Sequence, residues 1–329
     1  MRRLQLGIFL STLLLAAGIG SAEQLADPAF KAKVDNPAYA TGKKPVVLVD
    51  GGHNNWHKID GRYKPFAEVL TADGYDVRAL AGTITPEALK GIDVLVIANA
   101  LNMKNATEKE KANKWELPTP SAFEDTEINT VVDWVKKGGS LLLIADHMPW
   151  PGANEKLAMN FGIIMDNSFV FDATFTYKKG DPNIIKFKLS GGKPTEGKLV
   201  NHAIVAGRKN APISEEIQYV STFTGSAFRA KPGSNVQPLM VFGDGSRILY
   251  PAEADTMSLQ TPNAPAVGLL QGATVKEGDG RVAVFGEASM FTAQTAPWDP
   301  KYPMGMQNPE AANNQQFLLN VLHWLTKLL

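Results

Sequence analysis

Imidazole and carboxylate side chains follow the predicted strands at the points where those strands end. Asp50 closes one short apolar run and is followed by His53 and His57, while Asp146 and His147 follow a second run. His53, His57 and His147 are three of the five histidines in the chain. Imidazoles and carboxylates serve as general acids and bases in enzymes, and together they can also bind a divalent metal. We therefore expect acid–base chemistry or ligand binding where the fold brings these strand ends together.

Short apolar runs and amphipathic helices predict the elements that position these side chains. Leu141–Ile144, bounded by glycines before it and by Asp146 after it, is typical of a buried strand in a parallel sheet. Strands and helices alternate in this way over residues 45–162, which predicts a doubly wound parallel sheet. After residue 162, short strand candidates separated by glycine-rich turns predict a more antiparallel half. The expected fold is therefore α/β and flavodoxin-like, with a β-rich elaboration at about residues 163–280.

The individual elements follow from the same patterns. The predicted strands are Lys44–Asp50, Tyr75–Leu80, Asp93–Ala100, Leu141–Ile144, Ile184–Leu189, Gln218–Phe223, Pro238–Phe242, Ala266–Leu270 and Arg281–Phe285. The predicted helices are Arg62–Gly74, one that starts at Thr85, Phe123–Lys137, Ala153–Phe161 and Gln315–Leu329. A polar loop is expected from Lys104 to Ser121, and loops of that length in a compact domain tend to be lids or binding loops.

The first 22 residues are typical of a secretory signal peptide. Arg2 and Arg3 precede an apolar run, and small residues end at Ala22 to form a cleavage site. We expect cleavage there and a periplasmic or secreted mature protein. No later stretch approaches the roughly 18 apolar residues that span a bilayer, so stable membrane insertion after cleavage is not expected. Residues 23–44 then form an N-terminal arm, and residues 45–329 form one domain.

Composition removes several classes of function. The 33 basic and 33 acidic residues balance, and loss of a leader with two arginines and no acid leaves 31 against 33. This balance gives no reason to expect a nucleic-acid partner. The chain has no cysteine, which excludes a thiol nucleophile or a thiolate metal site. It also lacks a G-x-S-x-G elbow, a P-loop and a strand-linked G-x-G-x-x-G, which disfavours a serine hydrolase of the α/β type or a nucleotide-binding protein.

Topology selects the candidate site residues. In a flavodoxin-like sheet of order 2-1-3-4-5, ligands bind at the carboxyl ends of the strands near the switch point. The candidate catalytic residues are His147, Asp146, Asp50 and Glu287. The candidate ligand-binding residues are Gly51, Gly52, His53, Asn54, Asn99 and Trp150. A divalent metal, if one binds, would be held by His53, His57 and Asp146.

Each of these residues also has a purely structural alternative. An aspartate at a strand end often caps the following turn, as Asp50 and Asp146 could. His147 could be a packed histidine that orients its neighbours. Aromatic residues such as Trp56 and Trp150 could stack on a sugar ring, but tryptophans on loops more often pack against a core or a lid.

Several segments resemble the class I glutamine amidotransferase-like superfamily, especially its exported and ThuA-like members. The resemblance spans roughly residues 45–327, through VVLVDGGHNNWH, IDVLVIAN, FEDTEINTVVDWVKKGGSLLLIADH and GDGRVAVFGEASMF. It implies a flavodoxin-like domain, and it places Asp146-His147 on the turn where amidotransferases carry a nucleophilic cysteine. Because this chain has no cysteine, the resemblance argues against glutamine hydrolysis. ThuA-like members have a histidine similar to His147 and a GGH loop similar to Gly51-Gly52-His53, and they are associated with carbohydrate-related roles. The resemblance therefore also implies a carbohydrate-related role.

Two functions are consistent with these features. The first is an exported cell-envelope protein that binds a polar small molecule, such as a carbohydrate, in the switch-point crevice and requires no cofactor. The second is a hydrolase or isomerase-type acid–base enzyme acting on a sugar-like substrate, with or without a metal. In the second case His147 is the general acid or base, Asp50 or Asp146 orients it, and Glu287 supplies a second carboxylate.

Overall fold

The computed structural model describes residues 24–108, 115–172, 183–252, 257–258, 260–296 and 299–329. The predicted signal peptide lies outside the described residues. The helices are α1 (Lys64–Asp73), α2 (Met103–Glu108), α3 (Asp125–Lys136), α4 (Trp150–Asn160), α5 (Ala203–Ala206) and α6 (Asn314–Leu325). Within the described ranges, no helix combines the length and the apolar character that crossing a membrane requires.

The strands are more numerous in the second half of the chain than in the first. They are β1 (Leu25–Ala26), β2 (Val46–Asp50), β3 (Asp76–Leu80), β4 (Val94–Ala98), β5 (Ser140–Ile144), β6 (Ile163–Met165), β7 (Phe169–Asp172), β8 (Ile184–Lys188), β9 (Gly197–Leu199), β10 (Tyr219–Phe223), β11 (Phe228–Ala230), β12 (Gln237–Val241), β13 (Ser246–Leu249), β14 (Asn263–Pro265), β15 (Leu270–Glu277), β16 (Gly280–Phe285), β17 (Ala293–Ala296) and β18 (Asp299–Gly305).

A parallel core of five strands confirms the flavodoxin-like prediction. The central sheet runs β3-β2-β4-β5-β16, and each neighbouring pair in this path is parallel. Counted along the chain, this is the expected order 2-1-3-4-5. Beyond β16 the sheet continues through β15, β12 and β9, and these neighbours are antiparallel. The prediction of a more antiparallel second half is therefore also confirmed.

The core strands are apolar throughout because both of their faces are covered. In β5, Leu142 and Ile144 pack in the layer that contains α1 and α6, whereas Leu141 and Leu143 pack in the layer that contains α3 and α4. Alternate residues of a strand point to opposite faces of the sheet, so a strand between two helical layers needs apolar residues at every position. This packing fixes the carboxyl ends of β2, β4, β5 and β16 beside one another.

Three of the predicted elements differ from the structure. Thr85 accepts a hydrogen bond from the Ala88 N–H at 3.2 Å, as a helix cap would, but residues 86–91 form turns that end at Gly91 with φ 75°. The predicted strand at 266–270 is wrong, because residues 266–269 turn between β14 and β15 with Gly268 at φ 81°. The predicted polar loop begins with α2, whose first turn is capped where Asn102 accepts from the Lys104 N–H at 3.0 Å.

Candidate functional site

The carboxyl ends of the core strands bring the predicted polar residues into direct contact. The Asp146 N–H, after β5, donates to the Asn99 side-chain oxygen, after β4, at 2.9 Å. The Ala288 N–H, after β16, donates to Asp146 Oδ2 at 3.2 Å. Asp50, Asn99 and Glu287 have no exposed surface, and Asp146 is 6% exposed. The topology therefore predicts their proximity correctly, but the structure seals these groups from solvent.

His53 is held between two carboxylates. Its Nδ1 lies 3.0 Å from both oxygens of Asp50, and its Nε2 lies 3.0 Å from Glu127 Oε1. A ring that faces an acceptor on both sides satisfies both bonds only when both nitrogens carry a proton. This geometry favours the imidazolium form of His53, and the ring ties the loop after β2 to the first turn of α3.

The surroundings of this histidine favour its charged form. Burial lowers the pKa of His53, but the hydrogen bonds and charges of Asp50 and Glu127 outweigh burial and raise the pKa above its ordinary value. Burial raises the pKa of Glu127, but the N–H groups of Ile84 and Glu124 and the His53 ring together lower it. The Glu127 carboxyl group is thus suited to stay ionised beside the His53 ring.

Glu127 has no place among the predicted site residues, although one local signal points to it. Its side chain accepts from the Glu124 N–H at 3.1 Å in a capping box at the start of α3. A glutamate three residues after a cap is the usual sign of such a box. The cap here is Glu124 rather than serine or threonine, so the pattern is easily missed. The contact with His53 spans 74 residues and has no local signal.

His57 belongs to a different network from His53. Its Nδ1 lies 3.1 Å from the Asn99 side-chain nitrogen, and its Nε2 lies 3.2 Å from the side-chain amide of Gln294. Asn99 donates here, because its oxygen already accepts from the Asp146 N–H. Burial, then the charge of Arg62, lowers the pKa of His57 well below its ordinary value. His57 is therefore a neutral, internal histidine that bridges β4 and β17.

The three predicted metal ligands are each bonded to other groups of the protein. Both ring nitrogens of His53 face carboxylates, and both ring nitrogens of His57 face amides. Asp146 is engaged by the N–H groups of His147 and Ala288. Across the described parts of the chain, no group of three or more histidine, aspartate and glutamate side chains is arranged to hold a metal ion.

Asp146 and Glu287 form a buried pair of carboxyl groups. Glu287 accepts from the Ser289 N–H at 2.6 Å and the Met290 N–H at 2.8 Å. Burial, followed by the charge of Asp146, raises the pKa of Glu287 well above its ordinary value. Burial also raises the pKa of Asp146, although His147 opposes this effect. Two neighbouring carboxyl groups cannot both ionise cheaply away from water, so the pair retains a proton to a higher pH than either group would alone.

His147 is oriented by a backbone carbonyl rather than by a carboxylate. Its Nδ1–H donates to the Met148 carbonyl at 2.8 Å, whereas Asp146 accepts a hydrogen bond from the His147 backbone N–H and not from the ring. The prediction that Asp50 or Asp146 orients the imidazole is therefore wrong. The bond to Met148 places a proton on Nδ1, so in the neutral ring Nε2 carries the lone pair. His147 is half-buried, in contrast to His53 and His57, which are buried.

Aromatic rings surround His147. Its ring stacks on Phe169 with centroids 4.3 Å apart, and the Trp150 ring meets it edge-on at 4.8 Å. Trp150 in turn meets Trp56 edge-on at 5.0 Å, and the Arg62 guanidinium lies 4.3 Å from the centre of the Trp56 ring. We call His147, Trp56, Trp150, Phe169 and Arg62 the aromatic cluster. Trp150 is almost fully buried and Trp56 is half-buried, so Trp56 presents more of its surface than Trp150 does.

The loop after β2 needs its second glycine. A Cβ on Gly52 would lie 2.4 Å from the Gly82 carbonyl oxygen, which no side chain permits. Asn54 and Asn99 adopt φ of 49° and 53°, a left-handed conformation that asparagine tolerates better than most residues. Gly51 and Asn54, which were predicted to bind ligand, are both half-buried on this loop. The loop is thus held in one shape next to the aromatic cluster.

Two open clefts lie away from these residues. One, of about 610 Å³, runs between α3 and α4 and is lined by Ser121, Asn129 and Lys156 among others. The other, of about 270 Å³, is lined by residues of β7 and β8 and by Glu310. None of the predicted site residues lines either cleft.

Comparison with known proteins supports the fold. No protein-family model matches the chain, and no curated protein matches it. A solved structure described as "mmIFT52 N-terminal domain" aligns over 85% of this chain and 97% of its own, with a TM-score of 0.55 and 14% identity. Two ThuA-like proteins also align, from Bacteroides uniformis (11% identity, 87% of this chain, 93% of that chain, TM-score 0.45) and from Parabacteroides merdae (11%, 86%, 90%, 0.41). At these identities, the first likeness shows a shared fold alone.

Proposed function

We propose that this protein is an exported binding protein that holds a polar, ring-shaped molecule, such as a carbohydrate, against the aromatic cluster. One contrast carries the proposal. Asp50, His53, Asp146 and Glu287 are buried and bonded within the protein, whereas the His147 ring is half-buried among aromatic side chains. Groups committed to internal bonds hold a shape, but they are poorly placed to exchange protons with a substrate.

The aromatic cluster has the chemistry of a sugar site. A pyranose ring presents C–H groups that pack on an indole face, while its hydroxyls need donors and acceptors beside that face. Trp56 supplies partly exposed indole surface, and His147 Nε2 supplies an acceptor. The neighbouring loop adds the amide of Asn54 and the exposed backbone of Gly52. The proposal places the ligand across this loop and His147, outside the sealed carboxylates.

An acid–base enzyme is the second candidate, and the hydrogen bond between His147 Nδ1 and the Met148 carbonyl favours it. Because Nδ1 donates to Met148, Nε2 is the nitrogen available as a general base. In this alternative His147 acts without a carboxylate partner. Release of p-nitrophenol from p-nitrophenyl glycosides by the protein, and its loss in His147→Gln, would support the enzyme over the binding protein.

Thermal denaturation with glucose, galactose, mannose and trehalose tests the binding proposal. A sugar at ten times its Kd stabilises the folded state by about 1.4 kcal/mol, which corresponds to a shift of about 2–5 °C for a protein of this size. We expect at least one of the four sugars to raise the midpoint, and calorimetric titration to give its affinity.

A pair of tryptophan variants locates the binding. Trp56 and Trp134 are both half-buried and pack against the same hydrophobic layer, but only Trp56 belongs to the aromatic cluster. We expect Trp56→Ala to abolish the sugar-dependent shift and Trp134→Ala to retain it. If none of the four sugars shifts the midpoint, or if both variants respond equally, the carbohydrate proposal is wrong.

A further inference from the structure

Strand β3 forms an exposed edge of the central sheet. It pairs with β2 on one side only, and it is the last strand in that direction among the described residues. Arg78 and Ala79 are exposed, and Asp76, Val77 and Leu80 are half-buried. A strand at a sheet edge offers a row of backbone donors and acceptors to a further strand.

The hydrogen bonds to β2 identify which backbone groups face outward. The Asp76 N–H donates to the Pro45 carbonyl at 3.0 Å, and the Leu80 carbonyl accepts from the Gly51 N–H at 2.9 Å. The backbone N–H and carbonyl groups of Asp76, Arg78 and Leu80 therefore face β2. Backbone groups alternate in direction along a strand, so the N–H and carbonyl of Val77 and Ala79 point away from the sheet.

The charges along this edge are self-complementary. Asp76 and Arg78 flank Val77 on one face of the strand and form an ion pair within the chain. In an antiparallel pairing of two copies centred on Val77, Asp76 of each copy lies directly opposite Arg78 of the other. The two Val77 residues then form the hydrogen-bonded pair at the centre, and both ion pairs fall in the closer, non-hydrogen-bonded positions.

We propose that β3 is a homodimer interface, in which two copies of this chain pair antiparallel about Val77. The register follows from the alternatives. Pairing Val77 with Ala79 of the second copy sets Arg78 against Arg78, and pairing about Ala79 sets Arg78 against Leu80. Only the Val77 centre joins opposite charges on both sides of the two-fold axis. Such an isologous contact closes on itself and yields a dimer rather than a filament.

The same charges disfavour pairing with an unrelated strand. Charged residues on edge strands are a common means of blocking indiscriminate β-pairing. A strand without a basic residue opposite Asp76 and an acidic residue opposite Arg78 pairs poorly with β3. A second copy of β3 in antiparallel orientation provides both. Because the contact is short and built partly on exposed ion pairs, we expect a dimer that dissociates on dilution and weakens as salt increases.

Sedimentation velocity over a range of protein concentrations, with Arg78→Asp, tests the proposal. This change sets two acidic residues against each other at both ion pairs, and we expect it to yield a monomer. The double variant Asp76→Arg/Arg78→Asp restores opposite charges in the same register, and we expect it to dimerise as the native protein does. Lys33→Asp is the matched control, since it reverses a basic residue in another exposed pair two residues apart, with Asp35, and it should leave the dimer intact.

Each outcome of this experiment bears on the interface. A native protein that stays monomeric at the highest concentration it reaches in solution overturns the proposal. A dimer that persists in Arg78→Asp shows that the copies associate elsewhere. Failure of the double variant to dimerise, while it keeps the native circular dichroism spectrum, rules out the Val77 register.

Discussion

Replacing Glu287 with glutamine should remove a pH dependence of stability that the native protein carries. The pKa of Glu287 is well above its ordinary value in the folded state, because the group is buried and next to Asp146. Between its unfolded pKa and this raised value, the folded protein holds one proton more than the unfolded chain. The free energy of unfolding then falls as pH rises, by about 1.4 kcal/mol per pH unit. This contribution is fully present below the unfolded pKa and is lost as pH rises through the folded pKa.

Glutamine keeps the shape of the neutral acid but does not titrate. Its NH₂ group cannot accept from the Ser289 or Met290 N–H, so one of these buried donors loses its partner, at a cost of about 1–3 kcal/mol. At pH 5, Glu287→Gln should therefore be less stable than the native protein. Above pH 5, the difference in unfolding free energy between the two proteins should shrink by up to about 1.4 kcal/mol per pH unit, because only the native protein loses stability through ionisation of Glu287.

Urea denaturation from pH 5 to 8 at constant ionic strength, followed by tryptophan fluorescence, measures this difference. Subtracting the two curves cancels titrating groups that both proteins share. Glu215→Gln is a suitable control, because burial raises the pKa of Glu215 but the Arg208 contacts outweigh it and lower the pKa. The contribution of Glu215 to stability is fully present above its unfolded pKa. The difference in stability between the native protein and Glu215→Gln should therefore be constant from pH 5 to 8. A native-minus-Glu287→Gln difference that is also flat would refute the shared-proton argument.

Three further predictions concern the loop after β2 and the predicted signal peptide. His53→Gln should lose most stability relative to the native protein below about pH 6.5 and progressively less as pH rises through the raised folded pKa, as chemical denaturation would show. Gly52→Ala should lower the thermal midpoint because its Cβ meets the Gly82 carbonyl, whereas Gly82→Ala, whose Cβ meets nothing within 4 Å, should not; equal midpoints would contradict the close approach. Secretion from a bacterial host should yield a mature protein that begins at residue 23, and N-terminal sequencing that finds Met1 would contradict export by cleavage.

The arrangement of the core strands was predictable because burial on both faces leaves a plain trace in sequence. Val94–Ala98 and Ser140–Ile144 are nearly continuous apolar runs, which occur where helices cover both sides of a sheet. The order of the strands then places Asp50, Asn99 and Asp146 at one edge. The helix-start signal at Thr85 was less reliable, because a proper cap there did not produce a helix and a single turn gains little without further packing.

The partners of the site residues could not be predicted. Gln294 lies 237 residues from His57, and Glu127 lies 74 residues from His53. Such contacts depend on how helices and later strands are seated on the sheet, and no local pattern encodes that. The carbonyl that orients His147 is equally hidden, because every residue has one and only the turn geometry selects Met148.

The β-rich half explains why the switch point is sealed on one side. The Ser226 hydroxyl donates to the Ala145 carbonyl at 3.0 Å, and the Ser226 N–H donates to the Gly286 carbonyl at 2.7 Å. A Cβ on Gly225 would lie 2.2 Å from that same carbonyl oxygen, so the segment rests directly on the chain after β5 and β16. A flavodoxin-like sheet normally leaves this edge open to ligand. Here the added strands cover the Asp146–Glu287 side, and the half-buried His147 and Trp56 lie on the side on which we propose that a ligand binds.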